Sequence, residues 1–344
     1  MTNYIVLPSS SVGLQKDALI LSKMFNNTKI IFDFDKILIE SVENNRNDIF
    51  IFIEIVLFKE KLKKNYIKLA NTFLLPNIEY SFLGKYLKNL CIHSMKEYLE
   101  SFDIIFCKTY QNYNLLHTYY KLNNIRCNFM YIGFTSIPIP IKETKLNKDV
   151  IFYNQGGSLY RNHEVVIACW KKNTDLPPLV YKVNTLPNTN LFNTCSELIK
   201  SLQDETNICL KHEKYSCDDY HVLLNSYDIF LCTSMCEGFG HYIQEALGMG
   251  KIVVCLNMEP MNEYIKDGYN GFLIDSYIQR RANNIFNLPL YNCKEVDLYK
   301  KIQYVVKLSE EKKEQIRQNA KKTFNKNRDN FIKNYLNLEL SNLI

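Results

Sequence analysis

Short apolar runs recur through the first part of the chain, at residues 4–7, 29–34, 48–55, 72–75, 103–107 and 128–132. Most are separated by stretches of helix length, such as 14–25 and 82–100. Such alternation predicts a parallel sheet with helices on both faces. A serine-rich turn ending at Gly13 joins the first run to the first helix. Residues 142–148 are polar, follow Pro138 and Pro140, and read as a linker between domains. The pattern then restarts, with strands predicted at 150–154, 179–183, 207–210, 229–233 and 252–256. Helices are predicted at 164–170, at 217–225 and through Glu245. Residues 294–344 are highly charged and helical, with Ser309 placed to cap a helix opening on Glu310 and Glu311. The predicted class is α/β, with two Rossmann-like doubly wound domains facing a cleft and helices at the C-terminal end. The divisions fall at 1–145, 146–320 and 321–344, the last a helix packing back on the first domain. Ligands of such sheets bind beyond the carboxyl ends of the strands, which puts the site in the cleft.

Composition narrows the class further. Of 344 residues, 47% are hydrophobic and 23% charged, which excludes a disordered or fibrous chain. The 24 Tyr and 20 Phe give ample material for a core. A net charge of +6 is mild; it permits phosphates or an anionic membrane as partners and does not call for nucleic acid. The 11 Cys lack any C-x-x-C pair, the nearest two being Cys232 and Cys236, so free thiols in a reducing compartment are expected. The N-terminal residues lack a basic segment followed by a long apolar stretch, so no signal peptide is expected. The apolar run 49–58 is about half a membrane span and carries Glu54, so it reads as a buried strand. A cytoplasmic location follows. The abundance of Asn, Lys and Ile suits an A/T-rich genome such as that of a large virus, which would make the cytoplasm a host's.

The stretch 232–271 carries the chemistry. A strand ends near Thr233, a tight loop holds Glu237, Gly238, Phe239 and Gly240, and a helix then carries Glu245. Glycines at a helix start let a ligand approach the backbone closely, and the positive end of the helix favours a phosphate. Two carboxylates bracket that point, and carboxylates accept well from pairs of hydroxyls. Hydroxyls on either side of a diphosphate describe a nucleotide sugar. The blander reading makes Glu237 a helix cap and Glu245 a solvated helical residue.

The same stretch resembles the retaining GT-B glycosyltransferases of the family-four type, the glycosyl transferases group 1. Glu237 and Glu245, with seven residues between them in E-G-F-G-H-Y-I-Q-E-A, match the two acids of that signature. Glu263, Asp267, Gly268, Asn270 and Gly271 match its tail. P-M-N-E (260–263), G-G-S-L-Y-R-N (156–162), L-P-N-I-E-Y (75–80), C-K-T (107–109) and Y-I-G-F-T-S (131–136) resemble a subgroup in bacteria and large DNA viruses. The resemblance implies an acceptor-side domain at 1–145 and a donor-side domain at 146–320. It implies that Glu245 holds the ribose hydroxyls, Glu237 the donor sugar, and Arg161 the diphosphate, with Gly157 and Ser158 in the same segment. Backbone at Gly238, Phe239 and Gly240 would face sugar and diphosphate, and Gly13 would approach the phosphates from the other domain. The common family form has two basic residues at the diphosphate, where this segment offers Arg161. The implied activity is metal-independent, needs no cofactor, and moves a sugar with retention to a glycan, lipid-linked or protein acceptor. Departing negative charge would fall on Arg161 and the helix start, with front-face attack because no covalent nucleophile stands out.

Other motifs weigh less. Asp33-Phe34-Asp35 is the metal signature of the other large glycosyltransferase fold, yet it stands where a solvated strand end is expected, so no metal site is assigned. His241 reads as a base or as a packed residue beside a glycine turn; His93 and His117 have no supporting context. Asn77 and Glu79 follow a strand end and read equally as acceptor contacts or as a turn. The basic stretches 59–64 and 85–96 read as solvated helix faces or as a docking face for an anionic membrane bearing a lipid-linked acceptor. Three classes therefore stand: a glycosyltransferase; another enzyme on the same fold, such as a sugar-nucleotide epimerase or a glucosyltransferase of modified DNA; and a non-catalytic binder of nucleotide sugars.

Overall fold

The computed structural model describes residues 3–7, 12–25, 27–31, 48–53, 71–76, 96, 99–100, 102–156, 158, 160–184, 202, 207–281 and 288–336. The first six strands are β1 (Asn3–Val6), β2 (Thr28–Ile31), β3 (Ile49–Ile53), β4 (Thr72–Leu75), β5 (Ile104–Cys107) and β6 (Asn128–Tyr131). They form one parallel sheet in the order β2-β1-β3-β4-β5-β6. Helix α1 (Val12–Ser22) follows β1, and α2 (Tyr110–Asn123) follows β5. Strands buried on both faces need apolar residues at successive positions, and β3, with sequence IFIFI, is buried throughout.

A second parallel sheet holds β7 (Asn147–Gly156), β8 (Leu179–Val183), β9 (Ile208–Lys211), β10 (Tyr227–Cys232), β11 (Ile252–Leu256) and β12 (Phe272–Ile274), in the order β12-β11-β10-β7-β8-β9. Helices α3 (His163–Lys172), α4 (Cys217–Asn225), α5 (His241–Met249) and α6 (Met261–Tyr264) connect them. An antiparallel hairpin, β13 (Tyr277–Arg281) and β14 (Pro289–Asn292), precedes α7 (Glu295–Val306) and α8 (Glu310–Leu336). Strand order reverses around β1 in the first sheet and around β7 in the second, so the crevices beyond β1/β3 and β7/β10 are the sites such folds offer to ligands.

Several predicted boundaries move. α1 begins two residues before the predicted start, so Gly13 lies inside its first turn, exposed. β7 starts at Asn147, within the polar stretch assigned to the linker, because its outer end pairs with Tyr227 at the exposed margin of the sheet. The β13–β14 hairpin has no counterpart in the sequence reading, since β13 is exposed at every position and carries no burial pattern. Ser309 does cap α8, its Oγ accepting from the Lys312 N–H at 3.2 Å. α8 runs unbroken through residue 320. Its C-terminal part crosses to the first domain, where Phe331 meets Phe134 (5.1 Å between rings), Tyr335 meets Phe25 (5.0 Å), and Asn334 donates to the Ile132 carbonyl. Among the described residues no helix is long and apolar enough to cross a membrane, and every cysteine is a free thiol.

Candidate active site

The loop after β7 and the loop after β10 meet at Arg161. Its carbonyl accepts from Tyr153 Oη (2.7 Å) and Thr233 Oγ1 (2.6 Å), two hydroxyls rooted in the neighbouring strands. Its guanidinium donates to Ser234 Oγ (2.8 Å), pairs with Glu237 (2.9 Å), and lies 3.8 Å above the Tyr242 ring. Ser234 Oγ donates in turn to Glu237 (2.7 Å) and meets the Tyr242 hydroxyl, which then acts as donor. Burial alone would lower the Arg161 pKa, but the Glu237 carboxylate together with Tyr242, Cys232 and Tyr153 outweighs it and the value ends raised. Burial holds the Tyr242 phenol far above its ordinary value, so it stays protonated. Arg161 and Glu237, assigned from the sequence to different parts of a donor, are thus in contact with each other.

The N-cap of α5 is Gly240, left-handed at φ 83°, and no side chain caps the helix. The conformation asks for glycine there, while an added Cβ would stand 2.9 Å from Met261 Cε, the end of a flexible side chain. α3 likewise begins without a side-chain cap, after Asn162. Glu245 lies on α5 and is 5% exposed. Neither bland reading survives: Glu237 caps nothing here, and Glu245 is not solvated.

Across the cleft, α1 brings up consecutive residues. Lys16 Nζ binds Glu245 Oε1. Asp17 pairs with Lys108 Nζ and with His241 Nε2, both at 2.8 Å. His241 Nδ1 meets Ser136 Oγ at 2.7 Å. Burial pushes Asp17 up, yet Lys108 and His241 together outweigh it and its pKa ends lowered. Glu263 makes a third bridge, accepting from the Tyr110 and Gln111 N–H groups at the start of α2 (2.9 and 2.8 Å). Beside these bridges lies a cavity of about 660 Å³, lined in part by Lys108, Phe134, Glu263, Tyr264 and Phe331, a size usual for small-molecule sites.

The remaining sequence candidates divide. Ser158 lies between β7 and Arg161, its Oγ accepting from the Tyr160 N–H. Phe239 is buried against Phe134, His241 and Tyr264. Asn270 fastens the motif tail, donating to the Tyr264 carbonyl and Thr323 Oγ1. Asp267 accepts from the Leu273 N–H. His117 packs on Tyr113 and Phe129. Gly157, Asn77, Glu79, Asp33, Asp35 and His93 lie outside the described residues, as do nearly all of the two basic stretches. Among the described residues no group of three or more His, Cys, Asp or Glu could hold a metal ion. Sequence reasoning gave no role to Lys16, Asp17, Lys108 or Ser136; Lys108 and Ser136 stand in the C-K-T and Y-I-G-F-T-S motifs, whereas no local motif marks Lys16 and Asp17. Tyr242 and Ser234 were within the motif and could have been suspected from their place beside Glu237.

A search of curated proteins by sequence finds no match. Among solved structures the chain is similar to a glycosyltransferase from Rickettsia africae (TM-score 0.67, 16% identity, 98% of this chain and 97% of that one). It is similar to Anabaena Alr3699/HepE in complex with UDP and glucose (TM-score 0.67, 13% identity, all of both chains). It is also similar to the trehalose-6-phosphate synthase OtsA (TM-score 0.72, 10% identity, all of both chains). Three longer proteins match as well, and the chain spans only 58%, 60% and 52% of their lengths. At these identities the likeness is one of fold: two parallel-sheet Rossmann-like domains in the GT-B arrangement. The family model for glycosyl transferases group 1 matches residues 138–323, more than half of the chain and the whole of the Arg161–Glu237–Glu245 constellation, so the chain belongs to that family.

Proposed function

We propose that this protein moves a sugar from a nucleoside-diphosphate sugar to an acceptor hydroxyl, with retention of anomeric configuration and without a metal. The observation that carries the reading is the Arg161–Glu237 pair at the uncapped start of α5, with the buried Glu245 farther along the same helix. In this reading Glu245 accepts from the ribose hydroxyls, and Glu237, oriented by Arg161 and Ser234, faces the sugar. As the anomeric carbon–oxygen bond breaks, negative charge gathers on the diphosphate, where Arg161 and the positive ends of α3 and α5 stabilise it. The acceptor oxygen bonds to the anomeric carbon on the same face, and its proton passes to the departing diphosphate oxygen. Contacts between the domains exclude water, which would otherwise hydrolyse the donor. The acceptor class is a glycan, lipid-linked or protein hydroxyl.

The test is a donor screen, starting with UDP-sugars because the Anabaena relative was solved with UDP-glucose. Slow release of nucleoside diphosphate that survives a chelator is expected; activity lost to EDTA and restored by manganese would point to Asp33 and Asp35. Glu245→Ala should chiefly weaken nucleoside diphosphate binding, since the ribose does not react. Glu237→Gln should lower turnover ~10²-fold with little change in that affinity. The opposite pattern would reverse the donor's orientation. Conversion of the donor without an acceptor would make the protein an epimerase, and binding without release a non-catalytic binder.

A further inference from the structure

Lys16 sits on α1, in the first domain, and its ammonium reaches across the cleft to Glu245 on α5. Its neighbour Asp17 is locked, 1% exposed and paired on both sides. Lys16 is not: its side chain keeps 29% exposure, and its one ionic partner among the described residues is Glu245. We propose that Lys16 is a mobile cation of the donor site, holding Glu245 while the ribose position is empty and passing to the diphosphate when a donor binds. The inference rests on the donor reading above and adds a residue from the opposite domain to it.

Glu245 is nearly dry, and a carboxylate in that state needs a cation or several donors. A ribose diol supplies two hydroxyl donors to its oxygens and so replaces the ammonium. The displaced ammonium then needs an anion, and the new one is joined to the ribose through its 5′ carbon. Arg161 does not move to meet it, because Ser234, Glu237 and the Tyr242 ring hold its guanidinium and Tyr153 and Thr233 hold its backbone. A lysine, a point charge on a flexible stem, suits a partner that changes between states. Without a donor, Glu237 and Glu245 balance Arg161 and Lys16. A diphosphate adds negative charge that Arg161 and the helix ends would otherwise meet alone.

The experiment compares the wild type with Lys16→Met and Lys16→Arg, using whichever of UDP, GDP and ADP the wild type binds most tightly, and its matching nucleoside. Calorimetry reads the diphosphate and ligand-observed NMR the nucleoside. Lys16→Met should lose at least about tenfold in diphosphate affinity, the order of one charge-assisted contact. Its nucleoside affinity should hold or rise, because Glu245 is freed, and that binding also reports an intact fold. Lys16→Arg should keep most of the diphosphate affinity. If Lys16→Met binds diphosphate and nucleoside equally well or better than the wild type, Lys16 is a placeholder and the proposal falls while the donor reading stands. If both affinities fall together, Lys16 supports the site's shape rather than the phosphates, and the proposal again falls. If the wild type binds none of the three diphosphates, the donor reading itself is wrong and takes this proposal with it.

Discussion

Lys251 shows how far the second domain tolerates charge in its interior. It is 6% exposed, and its Nζ donates to the Asn225 carbonyl at 2.9 Å. Burial lowers its pKa, Asp228 opposes this, and Arg317 and Lys321 add to it, leaving the value at about 8 against 10.5 when free. The unfolded chain therefore binds more protons than the folded one between those limits, and stability rises with pH across that window. Below it the full penalty stands, about 3 kcal/mol, offset by roughly 1 kcal/mol for the hydrogen bond. Lys251→Met should thus be more stable than the wild type below pH 8, with the advantage shrinking toward pH 10. Denaturant titrations at several pH values check this, and a difference that does not change with pH would remove the burial cost.

At the scale of elements, α5 decides the site, and Gly240 decides α5. An L residue in the left-handed region costs ~1–2 kcal/mol, and the added Cβ would press Met261 on α6. Gly240→Ala should lower stability by about 1–3 kcal/mol and reduce turnover more than it reduces folding, because the first turn of α5 must shift. Thermal unfolding set beside donor turnover distinguishes the two effects; full activity at unchanged stability would show that the turn relaxes freely. The strand–loop–helix unit around Gly240 was legible because all its parts lie within a few residues of one another. The hairpin β13–β14 was not, since β13 is exposed at every position and β14 fully buries only Leu290, which leaves no periodicity to register.

For the whole molecule, the domains are joined by Lys16–Glu245, by the Lys108–Asp17–His241–Ser136 chain, by Glu263 on the start of α2, and by the end of α8 against the first sheet. Asp17 is central, because Lys108 is 1% exposed and would be stranded without it. Breaking a buried pair costs ~3–5 kcal/mol. Asp17→Asn should lower the unfolding midpoint and enlarge the radius of gyration in solution scattering as the cleft opens. The Asp17 pKa lies below its free value of 3.8, so its contribution is complete above that value and is lost as pH falls below it. The wild type should therefore approach the mutant in acid. Equal radii for both proteins at neutral pH would show that the remaining joints, Lys16–Glu245, Glu263 and α8, suffice to hold the domains.

The sequence alone determined the α/β class, the two doubly wound halves and the Glu237–Glu245 pair, because these rest on apolar periodicity and on a contiguous motif that sets a loop against a helix start. It also marked Arg161, through its segment. Only the tertiary structure decided that Arg161 and Glu237 hold each other, since they come from loops after two strands that become neighbours in the sheet. Only it decided that Lys16 and Asp17 serve the same helix as the motif, across 229 and 224 residues of chain. A lysine and an aspartate on an early helix have no signature of their own; their roles arise from the burial of Glu245 and Lys108, partners that lie far from them along the chain.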